Sequence, residues 1–410
     1  MPDRLSGTSP RAPLPTVPAT ASTTARPTAG RTESSAAPDR GGIPRRELPP
    51  AAGAGSSGGA ALRAPQQASP ERRSRATPMD ASQARHGRPA SDATHLPLLG
   101  YALARRLDGR PLPPEDIPRL QRAQDAVLDT RQALPLGRGN VLEDALASGY
   151  QSRYRAQAAY MVSHRMDRDA HLRNSDADSL RKSAVHLAAA SLAAGAANCD
   201  GRAAIVLGQY AQRLQADGVD SAESVYQLSS SALKHSWAEA RIPGQPERTI
   251  VLDAWTDGPA ILAEDSMLAT AKDKPDSGFG VVGSGAIRTT KEIIANTETL
   301  RRQPQELDQM VTMMQPPGAI APLVHWFDDR VSANGRRPMP VIAPDFARRV
   351  IDQLDRFDEA SMQHRTAEAI HVARAAGVTG EAELEALAPQ IEAASLALIA
   401  DTVDRKADAL

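Results

Sequence analysis

The single cysteine of the chain is followed by a histidine and an aspartate in an order that suits a thiol nucleophile. Cys199 comes first, His235 follows it, and Asp253 follows the histidine. In such a set the thiolate attacks a carbonyl carbon, the imidazole accepts and returns the proton, and the carboxylate fixes the tautomer and orientation of the imidazole. The three residues therefore predict acyl transfer through a thioester.

Each of these side chains falls in a segment that predicts a rigid element. Small residues lead up to Cys199 and a helical pattern of apolar residues follows it, which predicts a turn and then a helix with the cysteine at its N-terminus. The positive end of that helix would favour the thiolate. The histidine and the aspartate lie in two predicted strands, 232–242 and 248–255, joined by a short turn with two prolines and a glycine, which predicts an antiparallel hairpin.

Simpler roles compete with catalysis at each position. A lone cysteine is more often a small buried apolar residue than a nucleophile, and only the combination of three residues favours catalysis. His235 is the one histidine of nine that lies in a predicted strand shortly after the cysteine. Asp257 competes with Asp253, but Asp257 lies in a Thr-Asp-Gly-Pro sequence typical of a turn, whereas Asp253 follows an apolar run and is expected to be shielded from water.

The sequence defines the supporting groups less well. The backbone N–H of Cys199 is the expected oxyanion donor, and the side chain of Asn198 or Asn174 is a candidate second donor, with a turn or capping role at least as well supported for each asparagine. Trp237 and Trp255 either line a cleft for the acyl group or shield the His–Asp pair as core aromatics. No pair of histidines has metal-ligand spacing with a third ligand nearby, so neither a metal nor another cofactor is predicted.

The first 95 residues differ in composition from the rest. They contain no Phe, Trp, Tyr, Lys or Cys and consist mainly of Pro, Ala, Ser, Thr, Gly and Arg. Such a segment cannot bury enough apolar surface to offset the entropy lost on folding. Residues 1–95 are therefore expected to form a disordered tail.

Charge and residue usage argue against several classes of protein. The net charge of the chain is −1, and the arginines of the basic tail are scattered with no aromatic residues between them, which disfavours nucleic acid as a partner. One cysteine cannot form an internal disulfide and fits a reducing compartment. The chain contains no uninterrupted run of about 18 apolar residues, so no membrane span is predicted. Pro2 in place of glycine argues against a lipid anchor by N-myristoylation.

Five short segments resemble one family of bacterial proteins. They are Arg173-Asn174-Ser175, Asn198-Cys199-Asp200, His235-Ser236-Trp237-Ala238-Glu239, Asp253-Ala254-Trp255 and the run from Gly258 to Ser266. The order Cys, His-x-Trp, Asp-x-Trp resembles the transglutaminase-like cysteine hydrolase superfamily. Within it, the five segments resemble the HopX/AvrPphE family of type III effectors, which includes the XopE and RipE effectors of plant pathogens. The resemblance covers roughly residues 140–330.

The resemblance implies a triad of Cys199, His235 and Asp253. It also implies secretion through the type III machinery and action on host plant proteins, in the cytoplasm or nucleus of the host cell. Some family members are described as cysteine proteases that act on repressors of the jasmonate pathway, which makes such repressors candidate partners.

The sequence and the resemblance together predict an α+β fold with a papain/transglutaminase-like core. The helix that carries the cysteine is expected to pack on a small antiparallel sheet, with flanking helices. After the tail come a helical N-terminal region (96–175), the catalytic core (176–330) and a C-terminal helical region (331–410). Within the core, a short helix is predicted over 221–231 and an irregular loop over 273–289.

The predicted function is thiol-dependent acyl transfer from a protein amide, by a type III effector. Water as the second nucleophile would give proteolysis or deamidation of glutamine, and an amine would give transglutamination. The sequence leaves these reactions open because cleft shape decides which amide binds. The alternative is a non-catalytic effector that binds a host protein through a degenerate transglutaminase-like fold.

Overall fold

A computed structural model of the chain describes residues 95–172, 176–219, 222–270, 277–282, 284–315 and 339–407. All of these residues belong to one compact unit, residues 72–410. The tail predicted over residues 1–95 lies outside the described residues apart from His95, and Asn174 lies outside them as well.

The described fold is α+β, with one antiparallel sheet and helices packed around it. The helices are α1 (Leu96–Leu107), α2 (Ile117–Ala133), α3 (Leu142–Ala147), α4 (Gln151–Asp169), α5 (Ala177–Ala194), α6 (Cys199–Ala216), α7 (Ser284–Arg302), α8 (Gln305–Met314), α9 (Pro344–Leu354), α10 (Glu359–Ala375) and α11 (Glu381–Ala407). The strands are β1 (Ser224–Ser230), β2 (His235–Ile242), β3 (Gln245–Leu252), β4 (Ile261–Leu262) and β5 (Ser277–Val282). Short 3-10 helices cover Pro114–Asp116, Ala263–Asp265 and Met267–Thr270.

The five strands form one sheet in the order β4-β3-β2-β1-β5, and every neighbouring pair is antiparallel. The predicted hairpin is confirmed as β2 and β3, in which Ala238 lies opposite Leu252 and Ala240 opposite Ile250. Gly244 closes the hairpin with a φ of 78°, a conformation that glycine adopts without steric cost. Because the pair is antiparallel, the start of β2 and the end of β3 lie side by side at the same end of the sheet.

Helix α6 packs against the sheet because both surfaces are apolar where they meet. The buried residues include Ala204, Ile205, Leu207, Ala211 and Leu214 on α6 and Val225, Ala238, Ala240, Ile250 and Leu252 on the strands. Burial of one leucine or isoleucine side chain contributes about 1.5–3 kcal/mol, so this contact holds the helix firmly on the sheet. It also fixes the position of the first residue of α6, which is Cys199.

Helices from all three predicted regions share this core. Leu120 of α2, Val206 of α6 and Phe346 of α9 belong to the same cluster of buried apolar residues. Helices α2, α5 and α7 surround α6 on the sides that the sheet leaves free. The three regions are therefore stretches of sequence that fold together within the one compact unit.

Two sequence-based element predictions are wrong. The short helix predicted over 221–231 is strand β1, and the loop predicted over 273–289 contains β5 and the start of α7. Strand β1 pairs with β2 on one side and with β5 on the other. The backbone hydrogen bonds of β1 to two neighbouring strands outweigh the weak local preference of this segment for a helix. The short apolar pattern does not reveal these strand partners.

Helix α11 is long and apolar enough over Glu381–Val403 to cross a membrane by length and composition alone. Glutamates interrupt this segment, so it contains no uninterrupted apolar run that would mark it in the sequence. Its apolar residues nevertheless have protein partners: Leu384, Leu387 and Ile391 are buried in a cluster with residues of α1 and α10. Packing within the folded chain accounts for these three residues, whereas Leu396 and Val403 of the same segment are exposed.

Candidate active site

Cys199 is the first residue of α6, and its thiol is partly exposed. The residue before it, Asn198, has an extended backbone, with φ −85° and ψ −174°. One residue earlier, the backbone of Ala197 pairs with a neighbouring loop: its N–H donates to the carbonyl of Gly137, and its carbonyl accepts from the N–H of Gly139. The approach to the nucleophile is therefore held by backbone hydrogen bonds on one side and by the helix on the other.

The first turn of α6 lies very close to α5, and Gly201 permits this approach. A Cβ atom at position 201 would come within 2.7 Å of the Ser191 Oγ and within 3.1 Å of the Ala197 Cβ. Glycine therefore brings the start of α6 against α5 and against the segment that leads into Cys199.

His235 and Asp253 form a buried hydrogen-bonded pair. The His235 Nε2 lies 2.7 Å from the Asp253 Oδ2, and both residues are 3% exposed. His235 begins β2, and Asp253 follows the last residue of β3. The antiparallel register of the hairpin thus brings together two residues that are separated in the sequence.

The other ring nitrogen of His235 is the one available to the Cys199 thiol. The Cys199 thiol is a hydrogen-bonding and charge partner of the His235 ring. Because Nε2 is engaged by Asp253, Nδ1 is the ring nitrogen left for the sulfur. The imidazole therefore has both the thiol and the carboxylate as partners, with a separate ring nitrogen for each.

A tight turn after β3 orients the carboxylate of Asp253. Its Oδ1 accepts hydrogen bonds from the backbone N–H groups of Trp255, at 2.9 Å, and Thr256, at 3.4 Å. The Thr256 hydroxyl donates to the Asp253 carbonyl at 3.1 Å. An aspartate that binds the backbone two residues on is a common turn device. The sequence Asp-Ala-Trp-Thr, an aspartate directly after an apolar run, is the local signal for such a turn.

The electrostatics of the pair favour a charged imidazole. Burial by itself lowers the pKa of His235, but the charge and hydrogen bond of Asp253, together with the Cys199 thiol, outweigh burial and raise it to about 10. For Asp253, burial raises the pKa, and the His235 ring and the two backbone N–H groups more than compensate and hold it below its usual range. At neutral pH the pair is therefore an imidazolium and a carboxylate.

Both predicted tryptophans pack around this imidazole. The Trp237 ring stacks on His235 with centroids 6.3 Å apart, and the Trp255 ring lies 5.0 Å away. Trp237 is 0% exposed and its Nε1–H donates to Glu239, while Trp255 is 4% exposed and its Nε1–H donates to Asn140. The complete burial of Trp237 favours its alternative role, a core aromatic that shields the His–Asp pair, and a cleft role for it stays a prediction. Trp255 is likewise a core aromatic that shields the His–Asp pair.

The predicted asparagines differ in what the structure shows. Asn198 makes no capping hydrogen bond, and its Oδ1 is buried with no hydrogen-bond partner in the described part of the chain. That oxygen lies beside Gly139, where an added Cβ would come within 2.9 Å of it. The oxyanion role of Asn198 stays a prediction, and Asn174 lies outside the described residues.

Sequence reasoning missed several charged residues around the triad. Asp200 follows the nucleophile, and burial raises its pKa. Arg202, Arg131 and Arg138 lie behind the turn that holds Asp253, and each donates to a backbone carbonyl within residues 253–258. No local pattern marks these arginines, because they come from separate elements that meet only in the fold.

Within the described ranges, no three His, Cys, Asp or Glu side chains converge in the manner of metal ligands.

Comparison with known proteins adds no relative to this picture. No family model, no curated protein and no solved structure matches the chain.

Proposed function

We propose that the protein is a thiol acyl-transfer enzyme that acts on protein amides, with Cys199 as nucleophile, His235 as acid and base, and Asp253 as the group that orients the imidazole. One observation carries the proposal. A buried imidazole–carboxylate pair, joined at 2.7 Å, has its second ring nitrogen beside a thiol at the N-terminus of a helix.

The reaction begins with the thiolate of Cys199 attacking the amide carbonyl carbon. The first N–H groups of a helix have no partner within the helix, so the backbone N–H of Cys199 is available to the developing oxyanion. The imidazolium of His235 gives its proton to the leaving nitrogen as the C–N bond breaks, which leaves a thioester. Water or an amine then attacks the thioester, His235 takes up the proton, and the thiolate leaves.

The arrangement of helix and sheet supports a core of the papain/transglutaminase type. In this proposal α6 supplies the nucleophile and the β2–β3 hairpin supplies the base and its partner. The motif resemblance favours a type III effector that acts on host plant proteins. Proteolysis, deamidation and transglutamination are three reactions that the same thioester intermediate allows.

The first experiment measures the reactivity of the thiol. Because the chain has one cysteine, the rate of iodoacetamide labelling at about pH 6, followed by intact mass, reports Cys199 alone. We expect faster labelling than for free cysteine, and a fall of about tenfold or more in His235→Ala. His186→Ala is the matched control, since His186 also pairs with a carboxylate, with its Nδ1 2.6 Å from Asp167, but belongs to α5 and not to the β2–β3 hairpin. Slow labelling that His235→Ala leaves unchanged would overturn the triad.

The second experiment identifies the reaction. The protein and its Cys199→Ala variant are incubated with a plant-cell extract, and the masses of the extract proteins are compared. Cleavage indicates a protease, a gain of about 1 Da a deamidase, and cross-linking with a loss of about 17 Da a transglutaminase. A Cys199→Ala variant that keeps full biological effect in plant cells would favour the non-catalytic alternative.

A further inference from the structure

A pocket of about 530 Å3 lies behind the turn that holds Asp253. Its wall comes from the end of α2, the loop that leads into α3, the first turn of α6 and the turn after β3. The charged groups in the wall are Arg131, Arg138, Arg202, Asp144 and Asp257. The pocket shares no lining residue with the proposed triad.

Only one of the three arginines is paired with carboxylates. Arg138 bonds Asp144 through its Nε at 2.8 Å and Asp257 through its Nη1 at 2.7 Å. Among the described residues, Arg131 and Arg202 have no carboxylate within ion-pair distance and donate only to backbone carbonyls. Two guanidinium groups in this wall therefore lack a directly bonded carboxylate, and the acidic groups Asp144, Asp253 and Asp257 act on them only at longer range.

Arg202 is the most unusual of these groups. It is 4% exposed, its Nη1 donates to the Ala254 carbonyl at 3.0 Å, and its Nε is buried with no acceptor in the described chain. Burial, together with the charges of Arg138 and Arg131, lowers its pKa to about 9 in spite of the opposing charges of Asp144 and Asp253. Burial likewise lowers the pKa of Arg131, to about 10. A buried cation without a counter-ion destabilises the folded state, and a bound anion would remove that cost.

We propose that this pocket binds the phosphate group of a small phosphate monoester. A phosphate carries close to two negative charges at neutral pH and presents oxygens in several directions, which suits guanidinium groups that reach it from two elements, α2 and α6. A planar carboxylate is best met by one guanidinium fork. The volume is within the range of small-molecule sites and exceeds that of phosphate alone, so it leaves room for the organic part.

The occupant would brace both segments that carry the proposed triad. Arg202 and Arg131 hold the carbonyls of Ala254 and Thr256 in the turn after Asp253. The loop at Gly137 pairs with Ala197, just before the nucleophile. A ligand that bridges the two arginines would therefore connect the start of α6 to the end of β3.

The test measures binding to the full-length chain by calorimetry, with phenyl phosphate, inorganic phosphate and benzoate at matched ionic strength. We expect phenyl phosphate to bind with a dissociation constant of about 1 mM or tighter. Equal affinity for inorganic phosphate would assign free phosphate as the ligand, and tighter binding of the ester would assign the ester. Benzoate carries a planar carboxylate on the same ring, so benzoate binding as tight as that of phenyl phosphate would overturn the proposal.

Variants locate the site. Arg202→Met and Arg131→Gln should each weaken phenyl phosphate binding by about tenfold or more. Arg213→Met is the matched control because Arg213 lies on the same helix, is 7% exposed, and is bonded to Asp125 and Asp129. It should bind phenyl phosphate as the wild type does. Unchanged binding in Arg202→Met and Arg131→Gln would place the ligand elsewhere and overturn the proposal.

The unfolding temperature gives a second readout, which differs between an arginine without a carboxylate partner and an arginine in a structural ion pair. Without phosphate, Arg202→Met should unfold at the same temperature as the wild type or higher, while Arg213→Met should unfold at a lower one. Phosphate also stabilises proteins generally, so the measured quantity is the shift lost in Arg202→Met and kept in Arg213→Met. A fall in unfolding temperature in Arg202→Met as large as that in Arg213→Met would contradict an uncompensated charge. Repeating the binding in Cys199→Ala separates this proposal from the thiol chemistry.

Discussion

The proton on His235 links the chemistry of the site to the stability of the fold. The ordinary pKa of a histidine is about 6.5, and that of His235 is raised to about 10 by Asp253 and Cys199 against the effect of burial. Between these two values the folded chain holds a proton that the unfolded chain releases. The contribution of His235 to stability is therefore complete below about pH 6.5 and is lost as the pH rises towards 10.

This difference can be measured by denaturant unfolding at several pH values. We expect the free energy of unfolding of Cys199→Ala to fall between about pH 7 and pH 10 relative to that of the triple variant Cys199→Ala/His235→Gln/Asp253→Asn. Removing the thiol from both proteins keeps its titration, which is coupled to that of His235, out of the comparison. Parallel curves for the two proteins over this interval would show that the imidazolium is not stabilised in the fold.

At the scale of single residues, the sequence was sufficient for the His–Asp pair but not for its surroundings. His235 and Asp253 could be paired because both lie in one local hairpin whose strands the sequence marks clearly. The burial of Trp237 could not be deduced, since the same alternation suits a cleft wall and a core. Arg131 and Arg202 were missed because they are far apart in sequence and meet only in the fold.

At the scale of elements, the meeting of α6 with α5 decides where the nucleophile stands. Glycine inside a helix usually costs about 1 kcal/mol relative to alanine, so Gly201→Ala would stabilise an isolated helix. Here the added methyl would overlap the Ser191 Oγ. We expect Gly201→Ala to lower the free energy of unfolding by about 1–3 kcal/mol and to slow the labelling of Cys199.

Two further variants test the cause. Gly285 lies in the first turn of α7 with no atom within 4 Å of an added Cβ, so Gly285→Ala should be neutral or stabilising. Ser191→Ala combined with Gly201→Ala should recover part of the loss, because the overlapping hydroxyl is removed. If Gly201→Ala were as harmless as Gly285→Ala, the close approach of α6 and α5 would not be what positions the thiol.

The elements that the sequence failed to predict are those whose partners are distant. Strand β5 is rich in glycine, which resembles a loop, but the reason is a close cross-strand contact: a Cβ at Gly280 would come within 2.3 Å of the Tyr226 ring. Glycine inside a strand often marks such an approach. By contrast, the helix after Cys199 was predicted correctly, because its apolar pattern is local and long.

At the scale of the molecule, a buried cluster joins the N-terminal helices to the sheet. Asp265, which is 0% exposed, accepts hydrogen bonds from Tyr101 at 2.8 Å, Arg105 at 2.6 Å and Arg110 at 2.8 Å. Tyr101 and Arg105 belong to α1, while Asp265 lies just after β4. The cluster makes α1 part of the same cooperative unit as the strands.

Loss of the Asp265 charge should therefore destabilise the whole unit. We expect Asp265→Asn to lower the free energy of unfolding by about 3 kcal/mol or more, because Arg105 and Arg110 would lose the buried carboxylate that they share and Arg105 would keep only Glu264. Asp345→Asn removes a carboxylate that is 76% exposed, and such a surface pair contributes about 1 kcal/mol or less. Chemical denaturation of both variants makes the comparison, and equal effects would show that the cluster does not join the two parts.

The hairpin that carries His235 and Asp253 has its turn at the far end of its strands. β2 is eight residues long, so the turn at Gly244 lies about 25 Å along the strand from His235. An added Cβ at Gly244 would meet no atom within 4 Å. Exposed turns of this kind accept inserted sequence and new chain termini most readily. A fluorescent domain or an affinity tag spliced in at Pro243–Gly244, or a circular permutation there, would leave the thiol end of the sheet intact.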